Sequence, residues 1–273
     1  MSFHLRKPKP PLDACIDVMC LTSDYRPAHA LERILPDGRM TLVLRLDADE
    51  IRNYNAAGER SPQTMPAALM AGPHSQFQVI DTECQRSVLT VHFKPGGAWP
   101  FTGVEAAELR NQDTAADALL GQRALSLRHE LINARSPGEC FDLMEAALLR
   151  WFRPERVAGP VLNFALRRLH SLPAHTSVTQ TARDAGLSER RLTALFRRHV
   201  GLLPKSFARV RRFHRVLKRL AADTRRLEWA EVAFDCGFFD QAHFIHDFRA
   251  FSGLSPEQYL KQRGEHLLHL PVA

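Results

Sequence analysis

A segment near the C-terminus of the chain occurs twice, and this repeat constrains the fold more than any other sequence feature. The first copy spans residues 186–207 and the second spans residues 237–259. One constant offset relates five positions of the first copy, Leu192, Phe196, Gly201, Pro204 and Phe207, to Phe244, Phe248, Gly253, Pro256 and Tyr259 of the second. Because apolar, glycine and proline residues recur in register, we infer two copies of one supersecondary unit.

Each copy has the pattern of a helix, a tight turn and a second helix. Gly186 and Gly237 are placed to end the first helix, because glycine adopts the left-handed conformation of a helix C-terminus at little cost. Ser188 and Asp240 are predicted to N-cap the second helix. That second helix is apolar on one face and polar or basic on the other, as in a DNA-binding helix-turn-helix.

One helix is predicted between the two units, from Pro204 to Leu220, with proline in its first turn. Its seventeen residues, at ~1.5 Å each, give a rigid spacer of about 25 Å. Such a spacer can hold two recognition helices in successive major grooves, which recur about every 34 Å. We therefore expect one chain to bind an asymmetric DNA site.

Positive charge is concentrated in the repeated half of the chain. Nineteen basic and 10 acidic residues follow position 157, against 18 basic and 20 acidic residues before it. A localised basic excess indicates a polyanionic partner. A membrane partner is not expected, because no apolar run approaches the ~20 residues of a spanning helix. The N-terminus lacks the apolar stretch of a secretory signal, so we expect a soluble, cytoplasmic protein.

Residues 161–262 resemble the DNA-binding domain of AraC/XylS-type transcription regulators, which contains two helix-turn-helix units. The second unit, at residues 232–248 and 253–259, resembles the family signature almost throughout, and the first unit matches less closely. The resemblance implies a transcription regulator, activator or repressor, that binds double-stranded operator or promoter DNA and works with RNA polymerase. It also implies no catalytic activity and no cofactor.

The resemblance further implies which residues read bases. The family's base-reading positions fall on Arg190, Thr193 and Ala194 in the first unit, and on Gln241, Ala242, His243, Ile245 and His246 in the second. Arginine can bond a guanine edge in two places, and glutamine can do so with adenine. Ala194 is shorter than the polar residue often found there, so base reading by the first unit rests chiefly on Arg190.

Other basic residues are better candidates for phosphate contacts, which give affinity without sequence information. These candidates are Arg197, Arg198, Lys205, Arg209, Arg211, Arg212 and Arg249.

The N-terminal half predicts strands at residues 40–46, 78–80 and 87–93, bounded by Pro/Gly clusters, and helices at 119–134 and 140–152. The spacing suits a small barrel or sandwich. We therefore expect an α+β chain: a β-barrel or sandwich-like domain with helices, then an all-α domain. The expected domains are residues 1–157 for effector sensing and dimerisation, 158–265 for DNA binding, and 266–273 as a C-terminal tail.

Residues 33–38 and 92–101 resemble the sensor domains of a subset of the same family. That resemblance implies a cupin-like barrel with helices that form a homodimer, and control by a small-molecule effector that it does not name.

The alternative is a DNA-binding repair or architectural factor with a catalytic N-terminal domain. Some repair methyltransferases carry an AraC-like half beside a cluster of zinc-binding cysteines. Here the cysteines are scattered and include no Cys-x-x-Cys pair, so they predict neither a zinc site nor a disulfide framework. They are Cys15, Cys20, Cys84, Cys140 and Cys236. His29, His74 and His92 lack the clustered spacing of metal ligands, so we expect no metal.

Overall fold

Two antiparallel sheets form the N-terminal part of the protein, and helices form the C-terminal part. The computed structural model describes residues 1–54, 62–171, 177–222, 228–264 and 266–272. This arrangement confirms the predicted α+β class. The sequence also predicts a loop at residues 172–177, before the first helix-turn-helix unit, and this loop lies outside the described residues except for Ser177.

The first sheet carries the main N-terminal core on one face. Its strand order is β1-β2-β9-β4-β7-β10. The strands are β1 (Ser2–Arg6), β2 (Ile16–Ser23), β9 (Ser87–Phe93), β4 (Thr41–Arg45), β7 (Ala68–Ala71) and β10 (Asp113–Ala115). Leu89, Val91 and Phe93 of β9 belong to this core, because alternate side chains of a strand point to the same face.

The second sheet joins the two ends of the chain. Its strand order is β11-β3-β8-β5-β6. The strands are β11 (His269–Pro271), β3 (Leu31–Ile34), β8 (Gln78–Asp81), β5 (Glu50–Tyr54) and β6 (Gln63–Pro66). The expected C-terminal tail therefore contains a strand, which pairs antiparallel with β3 so that Leu270 lies opposite Arg33.

Helices cover the first sheet. They are α1 (Trp99–Thr102), α2 (Ala116–Leu120), α3 (Gln122–Ile132) and α4 (Pro137–Trp151). The single helix predicted at residues 119–134 was wrong, because Gly121 has a φ of 69° and separates α2 from α3. The helix predicted at 140–152 begins earlier, at Pro137, where Ser136 Oγ accepts a hydrogen bond from Glu139 N at 3.1 Å.

Up to residue 262, the secondary-structure elements described in the C-terminal part are all helices. The helices are α5 (Pro160–Ser171), α6 (Val178–Asp184), α7 (Glu189–His199), α8 (Pro204–Ala222), α9 (Trp229–Cys236), α10 (Gln241–Ser252) and α11 (Pro256–Gln262). Phe196, Phe213, Phe244 and Phe248 are fully buried in one shared core, as their helical spacing predicts. Among the described residues, no helix has both the length and the apolar character needed to cross a bilayer.

The C-terminal core extends into the N-terminal part. Leu35, which directly follows β3, is buried in the same cluster as the helical phenylalanines. Its backbone N–H donates to the Leu268 carbonyl at 2.8 Å, and Tyr259 Oη donates to the Leu267 carbonyl at 3.1 Å. The last helix is thereby connected to β3 by a short, hydrogen-bonded segment.

Candidate nucleic-acid interface

The two helix-turn-helix units are built as the repeat predicts. Gly186 and Gly237 have φ values of 68° and 85°, so both adopt the left-handed conformation that favours glycine. Ser188 Oγ accepts a hydrogen bond from Arg191 N at 3.3 Å, and Asp240 Oδ1 accepts one from His243 N at 2.7 Å. Both predicted N-caps are confirmed, and they fix where α7 and α10 begin.

The first recognition helix, α7, buries one face and exposes the other. Leu192 and Phe196 have no exposed surface, whereas Arg190, Ala194 and Arg197 are exposed. Thr193 lies half-buried between these faces. The base-reading candidates of the first unit therefore lie on or beside the open face.

The second recognition helix, α10, has the same division. Gln241, Ala242 and His246 are exposed, and His243 and Ile245 are half-buried. Phe244 and Phe248 face the core. The candidates on α10 again lie on or beside the open face.

The linker helix α8 has 19 residues rather than the seventeen expected. At ~1.5 Å per residue it is about 28 Å long. It contacts α9 and α10 of the second unit as well as α5 and α7 before it. The two units therefore sit on one continuous helix.

A buried carboxylate, Asp247, fastens α10 to this linker helix. Its side chain is 3% exposed, and Arg209 approaches it with Nη2 at 2.6 Å and Nε at 3.2 Å. Arg212 Nη2 lies 3.8 Å from the same carboxylate and Arg212 Nη1 donates to the Gly237 carbonyl at 3.3 Å. Burial opposes ionisation of Asp247, but the hydrogen bond and charge of Arg209 and the charges of His243 and Arg212 outweigh it and lower the pKa.

This ion pair involves two of the residues that the sequence predicts as phosphate contacts. Arg209 and Arg212 were singled out for DNA phosphates, yet in the structure both guanidinium groups bind within the protein. Sequence reasoning missed Asp247 because one acidic residue on a polar helix face looks solvated. The available signal was its position directly before Phe248, on the buried side of α10.

The other phosphate candidates differ in their surroundings. Arg197, Lys205 and Arg249 are exposed. Arg198 is exposed but its Nε lies 3.2 Å from Glu105 Oε1, and its guanidinium lies 5.6 Å from the centre of the Trp99 ring. Arg211 is half-buried, and its Nε donates to His170 Nδ1 at 2.9 Å.

Two exposed aromatic residues were also missed. Phe234 on α9 is 81% exposed, and Phe239, directly before the Asp240 N-cap, is 89% exposed. Their neighbours Cys236 and Phe238 are buried. The sequence feature that could have revealed the exposed aromatic residues is an apolar run longer than one buried helix face requires. Phe239 places an exposed apolar side chain directly before the start of the second recognition helix.

His214 on the linker helix provides a test by pH. Burial lowers the pKa of His214 to about 4, against the opposing charge of Asp37. The folded protein therefore holds this ring neutral while the unfolded chain protonates it near pH 6.5. Between pH 7.5 and 5.0 we expect this residue to cost about 2 kcal/mol of stability.

Urea unfolding at the two pH values measures that loss. In His214→Gln the pH-dependent loss should be about 2 kcal/mol smaller than in the parent. His129→Gln, at an exposed position on α3, is the control and should change nothing. A parent-like pH dependence in His214→Gln would contradict the assignment.

Metal ligands are not brought together in the described part of the chain. It contains no group of three or more His, Cys, Asp or Glu side chains that could hold a metal ion. His29 contacts Glu32 at 2.8 Å, His74 contacts Asp113 at 3.3 Å, and His92 contacts Thr41 at 3.2 Å. The three histidines thus have separate polar partners. All five cysteines are buried and unpaired.

Comparison with known proteins agrees with this geometry. Residues 181–262 match a family model described as a helix-turn-helix domain, and residues 4–115 match one described as a domain of unknown function, DUF6597. XylDLEGF operon transcriptional activators 1 and 3 of Pseudomonas putida are each 32% identical over 96 residues. That alignment covers 34% of this chain and 28% of each activator, so the chain spans under a third of their length.

Two solved structures also resemble parts or most of this chain. An AraC-type regulator from Chromobacterium violaceum is 24% identical with a TM-score of 0.35, and covers 39% of this chain and 94% of its own. ToxT from Vibrio cholerae is 10% identical with a TM-score of 0.46, and the match covers 96% of this chain and 97% of that one. Through residues 181–262, with their two capped units on one linker helix, the chain carries a helix-turn-helix domain.

Proposed function

We propose that the protein is a sequence-specific DNA-binding transcription regulator controlled by a small-molecule effector. The observation that carries this proposal is the pair of helix-turn-helix units on one continuous helix, each with its polar recognition face exposed. The basic excess after residue 157 supports DNA as the partner. The relatives described as transcriptional activators support a role in transcription.

The division of labour within the chain is part of the proposal. Residues 1–157 sense the effector, residues 158–265 bind DNA, and the segment 266–273 connects the two through β11. We propose RNA polymerase as a further partner, a cytoplasmic location, and no catalysed reaction. A homodimer is supported by three apolar side chains left exposed on α3 and α4, Leu125, Ile132 and Leu149.

Base reading is assigned to the exposed faces of α7 and α10. Arg190 on α7 and Gln241 on α10 are the bidentate readers, flanked by Thr193, Ala194, Ala242, His243, Ile245 and His246. Phosphate contact is assigned to Arg197, Arg198, Lys205 and Arg249, which are exposed. Arg209 and Arg212 are assigned to holding α10 through Asp247.

Substitution of the two readers tests this assignment. Arg190→Ala and Gln241→Ala should each weaken binding to the specific site by about 1–3 kcal/mol and relax the preference at one base position. Arg197→Ala, about two helix turns from Arg190 on α7, is the matched control and should weaken specific and random DNA alike.

Dissociation constants on specific and random duplexes, measured at one salt concentration, separate the two behaviours. If Arg190→Ala loses as much affinity for random DNA as for the specific site, this residue contacts the backbone and the base-reading assignment is wrong.

A further inference from the structure

A cavity of about 260 Å³ lies between the two sheets of the N-terminal part. Its volume is slightly below the range of about 300–1,000 Å³ that is typical of drug-sized ligands. Much of its wall is apolar and comes from both sheets: Val43, Ile51, Leu69, Ile80 and Val88. The cavity therefore suits a small molecule with an apolar body.

Two carboxylates lie in the described wall. They are the carboxylates of Glu32 and Asp113, and the described lining contains no lysine or arginine. Glu32 is 2% exposed and is contacted by Tyr25 Oη, by His29 Nε2 at 2.8 Å and by His269 Nδ1 at 2.9 Å. Burial opposes its ionisation, but these three hydrogen bonds and the charge of His269 outweigh it and lower the pKa of Glu32 to about 2. An anionic ligand would lie beside the carboxylates of Glu32 and Asp113.

Of the histidines in the wall, His92 supplies no positive charge. Burial lowers the pKa of His92 to about 4, and the charge of Arg39 adds to this effect. The ring is therefore neutral near pH 7. Its two nitrogens are engaged by Thr41 Oγ1 at 3.2 Å and by Thr90 Oγ1 at 3.1 Å.

One polar atom in the wall is buried without a partner. Asn53 donates through Nδ2 to Asp113 Oδ2 at 2.6 Å, while its Oδ1 is buried and accepts no hydrogen bond. Gln78 Nε2 also donates to Asp113 Oδ2, at 3.2 Å. A buried acceptor left unsatisfied is costly, so the site is complementary to a ligand that brings a donor.

We propose that this cavity binds a small organic molecule with an apolar body and an N–H or O–H donor group, neutral or cationic but not anionic. The donor lies against Asn53 Oδ1 and the Asp113 carboxylate, and the body fills the space between the sheets. This proposal deepens the effector control proposed above and rests on it. The cavity and its polar groups are the observations that carry it.

The same wall includes the segment that follows the second helix-turn-helix unit. His266 and His269 line the cavity, and β11 is tied to β3 by strand pairing and by the His269–Glu32 contact. An occupant therefore touches both the sensor sheet and the chain that leaves α11. Ligand binding stabilises the pairing of β11 with β3, because the ligand contacts β11 only while that strand is paired.

Matched probes distinguish the ligand classes. Three bodies, isobutyl, cyclohexyl and phenyl, are each tested as the methylamine, the methanol and the carboxylate, by calorimetry with the full chain and without DNA. For at least one body we expect both the amine and the alcohol to bind. The amine should bind at least about 10-fold more tightly than the carboxylate, because a buried carboxylate attracts an ammonium group and repels a second carboxylate.

Two variants locate the site. Asp113→Asn should reduce amine affinity about 10-fold while leaving alcohol affinity within about twofold, since only the charge is removed. Glu50→Gln, at the exposed start of β5, is the control and should leave both unchanged. Hydrogen exchange of the β11 amides should slow several-fold when the best amine is bound.

The outcomes separate this proposal from the proposed function. Tighter binding of the carboxylates, binding of none of the probes, or an amine preference that survives Asp113→Asn would each overturn the ligand class. DNA binding is measured separately on the ligand-free chain. Its presence would leave the regulator role standing even if the ligand class is wrong.

Discussion

Raising the salt concentration from about 50 mM to 200 mM is expected to weaken binding to the specific DNA site by about 100-fold. Four exposed basic residues, Arg197, Arg198, Lys205 and Arg249, are assigned to phosphates. Each neutralised phosphate releases counterions and contributes about −0.9 to the slope of log K against log salt. A slope near −3.6 therefore corresponds to these four contacts.

Single substitutions should show how much each residue contributes to the slope of log K against log salt. Lys205→Ala and Arg249→Ala should each make it shallower by about 1. Arg150→Ala, at an exposed position on α4 outside the proposed interface, is the control. A dissociation constant that hardly changes over this salt range would show that DNA phosphates are not the main source of affinity.

Replacement of Asp247 by alanine is expected to destabilise the protein by about 2 kcal/mol and to weaken specific DNA binding. The substitution leaves Arg209 and Arg212 without their shared carboxylate, and removing one partner of a buried ion pair costs about 3–5 kcal/mol. The arginine side chains are 35% and 21% exposed, so water screens part of this loss. Because α10 is fastened to α8 through this contact, the second recognition helix also loses its fixed position.

Denaturant unfolding and DNA titration of the same variant measure both effects. Asp235→Ala removes an exposed carboxylate on α9 that lies 3.9 Å from Arg219, and it should cost less than about 0.5 kcal/mol. The carboxylate of Asp247 should stay ionised between pH 5 and 8, so its pairing with Arg209 should persist over this range. A lowered carboxylate pKa gives stability that is present above the unfolded value near 3.9 and is lost as pH falls through the folded value. Equal effects of the two substitutions would contradict the role given to Asp247.

Local chemistry made the C-terminal units predictable. The left-handed glycines, the Ser188 and Asp240 caps and the buried Phe196 and Phe248 each depend on residues within one helix or turn. Such features can be read from spacing alone. The base-reading assignments need a DNA complex and stay predictions.

The N-terminal part was predicted less completely. The strand β9 agrees with the prediction residue for residue, and β4 and β8 agree within one residue at each end, because alternation and turn signals mark them. The edge strands β1 and β11 were not predicted. β1 has no buried face, and β11 pairs with β3 near the other end of the chain. For the same reason, the sequence did not show that His269 would meet Glu32 across 237 residues.

Selection of bound sites from randomised double-stranded DNA with the full chain tests whether the protein reads DNA sequence through both units. We expect one enriched asymmetric site with two conserved elements about one helical turn apart, in which Arg190→Ala erases the preference at one position of one element and Gln241→Ala erases it at one position of the other. No enrichment over the starting pool would contradict a sequence-specific DNA-binding function.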